Sequence, residues 1–361
     1  MPAKSQNRTK STLQERNITA AQLPRWTWLG VLILALAITA TAFSLISSFS
    51  IATTLLVGIP LFLAAMFAAS AAVEGTRRAT DKLARYLVTV CFLLALLPLT
   101  SLIWEVVSRG LPRFDLTFFT QTQARAHDMN FVLGAKHALI GSLEITAIAV
   151  LISVPIGLFT AIYLVEYARD SRLAFGIRFF VDVMTGIPSI VAGLFAYTLF
   201  VLIFGPGTKT GMAGAVALSV LMIPTVVRST EEMLRLVPNE LREASYALGV
   251  PQWRTILRVV LPTAMGGIIT GVVLGIARII GETAPLLVTA GYYQRLNTNP
   301  FEGPISTLPV LVYQSLRTHG PRAEELASLG WTGALTLILI VMTLNLIGRI
   351  VAWKFAPKKS Q

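Results

Sequence analysis

Eight apolar stretches, each longer than twenty residues, recur along the chain at about 28–48, 51–73, 86–108, 137–165, 177–204, 212–233, 264–289 and 331–353. Crossing the hydrocarbon of a bilayer takes about 20 residues of helix, because every backbone donor and acceptor must be satisfied inside the chain there. The pattern predicts an all-α integral membrane protein of about eight transmembrane helices. Charged residues make up only 13% of the sequence, against roughly 25% in a soluble domain. No polar segment is long enough for a second core, so one membrane domain with short appendages is expected. The first apolar stretch is longer than the roughly 7–15 residues of a signal-peptide core and reads as a retained anchor. Only Ser47 to Ser50 separate it from the second, which makes the pair a hairpin or one interrupted element.

With eight spans both termini share a face, and alternate loops can be compared for basic residues. One face receives Lys4, Arg8, Lys10, Arg16 and Arg25, then Arg77, Arg78, Lys82 and Arg85, then Arg169, Arg172 and Arg178, the loop from Arg228 to Arg258, and Lys354, Lys358 and Lys359. It carries 20 Lys and Arg against 8 on the other and is therefore assigned to the cytoplasm. Topology also explains the net charge of +12, whose basic residues form no single stripe of the kind nucleic acid requires. Two long external loops, about 109–136 and 290–330, and one internal loop, about 234–263, remain.

Enzyme chemistry finds no footing. His127, His137 and His319 are isolated, the single Cys91 lies in an apolar run, and no paired metal-ligand spacing occurs. Gly207-Thr-Lys209-Thr210 lacks the glycine that precedes the lysine of a phosphate-binding loop and sits in a short external turn.

The internal loop reads as two short helices. Asn239 is placed to cap the first, Leu241, Ala244, Ser245 and Leu248 share a face, Gly249 supplies a left-handed stop, and Pro251 suits the first turn of the second. Glu243-Ala244-Ser245, then Gly249, then Val259-Val260-Leu261-Pro262 resembles the signature of ABC importer permeases at full spacing, with Ser245 in place of the second alanine. The resemblance implies that Glu243, Ala244, Ser245, Gly249, Leu261 and Pro262 belong to a coupling segment that docks on a separate ATPase subunit.

Within the spans, Arg278 carries the strongest functional implication, since an arginine at the bilayer centre costs about 2.5–3.5 kcal/mol even on the lenient insertion scale. Glu282 is expected one turn later on the same face. The pair reads either as a self-neutralising ion pair or as a guanidinium presented to a tetrahedral oxyanion and held by its carboxylate. Arg228, at the end of the sixth span, either snorkels to the surface or forms a second anion station. Ser189 and Thr283 either donate to an anion or bond their own helix backbone.

Gly186-Ile-Pro-Ser-Ile-Val191, Gly193-Leu-Phe195, Arg228-Ser-Thr-Glu-Glu-Met233, Arg278-Ile-Ile-Gly-Glu-Thr-Ala-Pro285 and Thr307-Leu-Pro-Val310 narrow the resemblance to PstA-type permeases of bacterial phosphate importers. That family implies a type I ABC importer permease core at 86–361 with coupling segment 234–263, preceded by a cytoplasmic tail (1–25) and an appended transmembrane hairpin (26–85). It further implies a phosphate pathway through Arg228 and Arg278, a PstC-like partner permease, a PstB-like ATPase homodimer holding ATP and Mg, and a PstS-like extracytoplasmic phosphate-binding protein. The chain itself would bind no cofactor and catalyse nothing, and it would lie in the bacterial inner or plasma membrane with both termini cytoplasmic. The competing readings are a permease for sulfate or molybdate and a regulatory or assembly subunit.

Overall fold

A computed structural model of the chain describes residues 23–46, 50–126, 128–168 and 171–355. Residues 1–22 and 47–49, His127, Arg169, Lys358 and Lys359 lie outside the described residues. Within them every regular element is helical: α1 (Thr27–Ile46), α2 (Ile51–Glu74), α3 (Thr76–Gly110), α4 (Leu116–Thr120), α5 (Lys136–Ile162), α6 (Arg172–Thr185), α7 (Ser189–Phe204), α8 (Gly211–Arg235), α9 (Asn239–Ala247), α10 (Gln252–Thr255), α11 (Leu261–Ile279), α12 (Ala284–Thr289), α13 (Leu308–Arg317) and α14 (Ala323–Phe355). Wide π turns extend α5 over Tyr163–Tyr167 and join α10 to α11 over Ile256–Val260.

Two compact units divide the chain between Leu102 and Ile103. In the first, α1 and α2 lie close enough at Gly58 that an added Cβ would meet Leu36 Cδ2 at 2.7 Å, the small-residue contact by which membrane helices gain packing that lipid cannot supply. Ala35, Phe62 and Met66 form its core, while Leu34, Leu56 and Phe92 face outward as lipid-exposed residues should. The third helix begins at Thr76, ten residues before the apolar stretch that announced it, so the basic cluster Arg77, Arg78, Lys82 and Arg85 is helical.

The second unit is built around α5 and α8. Gly214 faces Ile145, Ser219 Oγ donates to Ala149 O at 3.4 Å, Ser153 Oγ donates to Ser219 O at 3.5 Å, and Gly157 faces Val226. Both numbers rise together, so the two helices run parallel and an odd number of crossings must separate them. The α6–α7 pair between them is bent by 107° at Gly186–Pro188. It therefore crosses once, and eight crossings follow among the described residues from the seven long apolar helices and this bent pair. The expected straight span 177–204 is thus corrected to two helices at a sharp angle. Pro188 removes the N–H that would continue α6 and becomes the N-cap of α7.

α11 returns antiparallel to α8, with Gly267 at Met233 and Gly275 at Met222 and Thr225. The expected span 264–289 is also corrected: the helix ends at Ile279, and α12 follows after Ile280–Thr283. Residues 290–330 are no simple external loop either. They contain α13, which packs antiparallel on α14, with Ser315 beside Gly330 and Leu311 beside Gly333, and buries Thr307, Leu308 and Val310.

Candidate functional site

The polar groups singled out from the sequence fall at two depths. At the deeper one, Gly275 faces Met222 and Thr225 near the middle of α8, so Arg278, three residues on, lies in the membrane interior although it is the penultimate residue of its helix. Its side chain is exposed in the isolated chain and makes no ion pair or hydrogen bond among the described residues. The expected pairing with Glu282 is absent. The helix has already ended, and Glu282 N donates to Ile279 O at 3.1 Å in a turn, so the carboxylate leaves the face that carries Arg278.

Close packing surrounds this break. An added Cβ on Gly193 would meet Pro285 Cα at 2.6 Å, so α7 and α12 touch backbone to backbone and two sequence motifs 92 positions apart become neighbours. Ser189 begins α7 and Thr283 precedes α12, both half-buried. Neither hydroxyl makes a hydrogen bond among the described residues, although helix hydroxyls ordinarily return to their own backbone. Glu144, in α5, is likewise half-buried without an ion pair; a carboxylate in the first third of a span was the sequence feature that marked it.

At the end of the unit where α8 leads into α9 the charges are matched. Arg228 contacts Asp182 of α6 and lies 3.8 Å from Glu231. Glu231, buried in α8, also accepts from Arg178 at 3.0 Å and from Arg235 at 2.5 Å. Arg228 is therefore neither a bare station nor a residue that merely snorkels. It belongs to a charge network that joins α6 to α8.

One turn further, α9 is fastened to α5. Arg242, only 6% exposed in its side chain, donates to Glu166 Oε1 at 2.8 Å, and Glu166 is 2% exposed. The remaining guanidinium hydrogens reach Leu234 O at 2.9 Å, in the last turn of α8, and Val237 O at 2.6 Å, just beyond it. Gln252 Nε2 closes the ring on Glu166 O at 2.8 Å. A buried pair of this kind is favoured where further hydrogen bonds satisfy the ions, and those of the Arg242 guanidinium are supplied by the Leu234 and Val237 carbonyls.

The signature residues divide accordingly. Gly249 adopts φ +75, and a side chain there would be strained even though its Cβ would meet nothing. Glu243 and Ala244 are exposed, as are Leu241, Tyr246 and Leu248. Leu261 is buried with Ile256, Val260 and Ala264, and Pro262 opens α11. Ser245 departs from the expected partner-facing role: it is buried within the chain, its hydroxyl 2.8 Å from that of Thr255, and so ties the two arms of the segment together. Leu241, Ala244 and Leu248 lie beside Ser245 at helical spacing but remain exposed, so the buried edge of α9 begins at Ser245. Pro238, not Asn239, occupies the N-cap, because Asn239 Oδ1 accepts from Arg242 instead.

A family model described as binding-protein-dependent transport system inner membrane component matches residues 153–361. Over 280 residues the chain is 45% identical to the phosphate transport system permease protein PstA 1 of Mycobacterium tuberculosis, covering 76% of this chain and 89% of that one. It is 41% identical over 278 residues to phosphate transport system permease protein PstA of Haemophilus influenzae, covering 76% and 94%. A solved inward-facing MetNI methionine ABC transporter aligns with TM-score 0.49 and 19% identity over 61% of this chain and 94% of its own.

Proposed function

Taking as premise that this chain belongs to the binding-protein-dependent transport inner membrane family, we propose that it is the permease subunit of an ATP-driven phosphate importer. The observation that carries this reading is Arg278, an unpaired guanidinium beside a broken helix at mid-membrane, in a chain whose relatives at 41–45% identity are named phosphate transport permeases. An arginine at membrane depth without a carboxylate is electrostatically incomplete, and a tetrahedral oxyanion completes it with a forked, charge-assisted contact. Ser189 and Thr283, with free hydroxyls near the same break, add neutral donors. The sulfate, molybdate and regulatory readings are not favoured by these relatives.

Transport in such a protein is a change of access rather than a reaction. The exposed outer face of α9, with Leu241, Glu243, Ala244 and Leu248, is the surface offered to an ATPase. Movement of α9 passes to α5 through Arg242–Glu166, and to α11 through the Ser245–Thr255 bond and the continuous α10–α11 rod. A PstC-like permease would complete the pathway, a PstB-like ATPase dimer would hold ATP and Mg and perform the hydrolysis, and a PstS-like protein would deliver phosphate. The distribution of basic residues favours cytoplasmic termini.

The test is labelled phosphate uptake, with excess sulfate, into vesicles containing the chain, a partner permease, the ATPase and the binding protein. ATP-dependent uptake that sulfate leaves intact supports the reading. Uptake abolished by sulfate overturns the substrate assignment.

A further inference from the structure

The N-terminal unit carries a cleft that the transport reading does not use. Its volume is about 720 Å³. Apolar side chains line it from all three helices, among them Leu36 of α1, Ile59 and Phe62 of α2, and Leu93 and Leu97 of α3. Along α3 it extends from Arg85 to Thr100, which is about 22 Å at the rise of an α-helix. That length matches extended hydrocarbon chains.

The two ends of the cleft differ. Glu74, buried at the end of α2, accepts from Leu23 N at 2.7 Å and from Lys82 Nζ at 2.5 Å. The start of α1, the end of α2 and the start of α3 are thereby held at one level. Two exposed arginines stand there, Arg25 three residues before the cleft residue Trp28, and Arg85 on the cleft wall itself. Neither makes an ion pair among the described residues, although Asp81 lies one turn from Arg85. No charged residue lines the other end, near Leu55 and Thr100.

We propose that this cleft binds a phospholipid with an anionic headgroup, its acyl chains along the three helices and its phosphate at the Arg25–Arg85 end. Basic residues at the mouth of an interhelical groove select anionic lipid, whereas a groove without them accepts any lipid of the right length. The basic-residue tally places that end in the cytoplasmic leaflet, where anionic lipid is found. The site does not depend on the transported substrate.

The full chain, purified and exchanged into mixed phosphatidylglycerol and phosphatidylcholine with identical acyl chains, should retain phosphatidylglycerol in native mass spectrometry with a preference on the order of tenfold. The exposed double variant Arg25→Gln/Arg85→Gln should lose that preference while still retaining lipid. Leu93→Trp, which fills the cleft, should lower retention of both lipids. Equal retention of the two lipids by the unaltered chain, a preference that survives the double variant, or indifference to Leu93→Trp would overturn the proposal. So would a homodimer that forms with loss of lipid, since the cleft would then belong to a second copy.

Discussion

The end of the second unit where α8 leads into α9 and the helix break at its middle treat charge in opposite ways. Buried Glu231 is surrounded by arginines and buried Glu166 is paired with Arg242, whose guanidinium also finds backbone carbonyls. Around Ile280–Thr283, Arg278, Glu282, Ser189 and Thr283 lie in a stretch of broken helix with no ion pair or side-chain hydrogen bond among the described residues. An unmatched charge at membrane depth is costly, so matching some charges and leaving others bare points to different roles for the two regions. On the proposed reading, the matched region transmits force as one piece and the unmatched region receives the anion that crosses the membrane.

The largest effect expected falls on the unmatched side. Arg278→Ala should reduce phosphate uptake about 10- to 100-fold, the worth of a charge-assisted contact, without lowering the yield of assembled complex. Arg278→Lys should recover only part of the loss, because it restores charge without the planar fork. Initial rates of uptake in vesicles check both, and uptake by Arg278→Ala within twofold of the unaltered chain would break the comparison.

On the matched side, Arg242→Ala leaves Glu166 buried and alone, which should destabilise the chain by about 3–5 kcal/mol. The double replacement Glu166→Leu/Arg242→Met should restore most of that stability yet leave ATP hydrolysis poorly coupled to uptake. Thermal unfolding and the ratio of phosphate moved to ATP hydrolysed separate the two effects. If the double variant couples normally, the ion pair contributes stability and nothing more.

Smaller effects sharpen the boundary between the regions. Gly249→Val forces a β-branched residue into positive φ, a strain of about 1–2 kcal/mol, and should raise hydrolysis that moves no phosphate. Ser245→Ala removes one buried hydrogen bond worth about 1 kcal/mol and should lower thermal stability by a few degrees with coupling nearly intact. A strong coupling defect in Ser245→Ala would instead return that residue to the ATPase interface.

How far the sequence foretold this arrangement depends on the range of the interactions. Span number followed from apolar length, and Gly249 announced its own conformation, because both are local properties. The bend at Gly186–Pro188 and the break before Pro285 were visible as glycine and proline within apolar runs, but the 107° angle and the loss of the Arg278–Glu282 pairing depend on packing against α8 and α12. Glu166 and Arg242 are 76 positions apart, and no local pattern joins them. An acid at the end of an apolar run and an arginine inside a small-residue helix were the available signs. Asn239 looked like a cap because its immediate neighbours permit one; Arg242, held from α5, took its side chain instead.

The central claim is that the bare guanidinium of Arg278 meets the transported anion. Its most direct test is Arg278→Cys in a Cys91→Ser background, reconstituted with the partner permease, ATPase and binding protein. The introduced thiol is then modified with a small reagent carrying either an ammonium or a sulfonate group. The account predicts that the ammonium adduct restores measurable phosphate uptake, that the sulfonate adduct does not, and that phosphate slows modification. Equal uptake from the two adducts, with modification indifferent to phosphate, would contradict it.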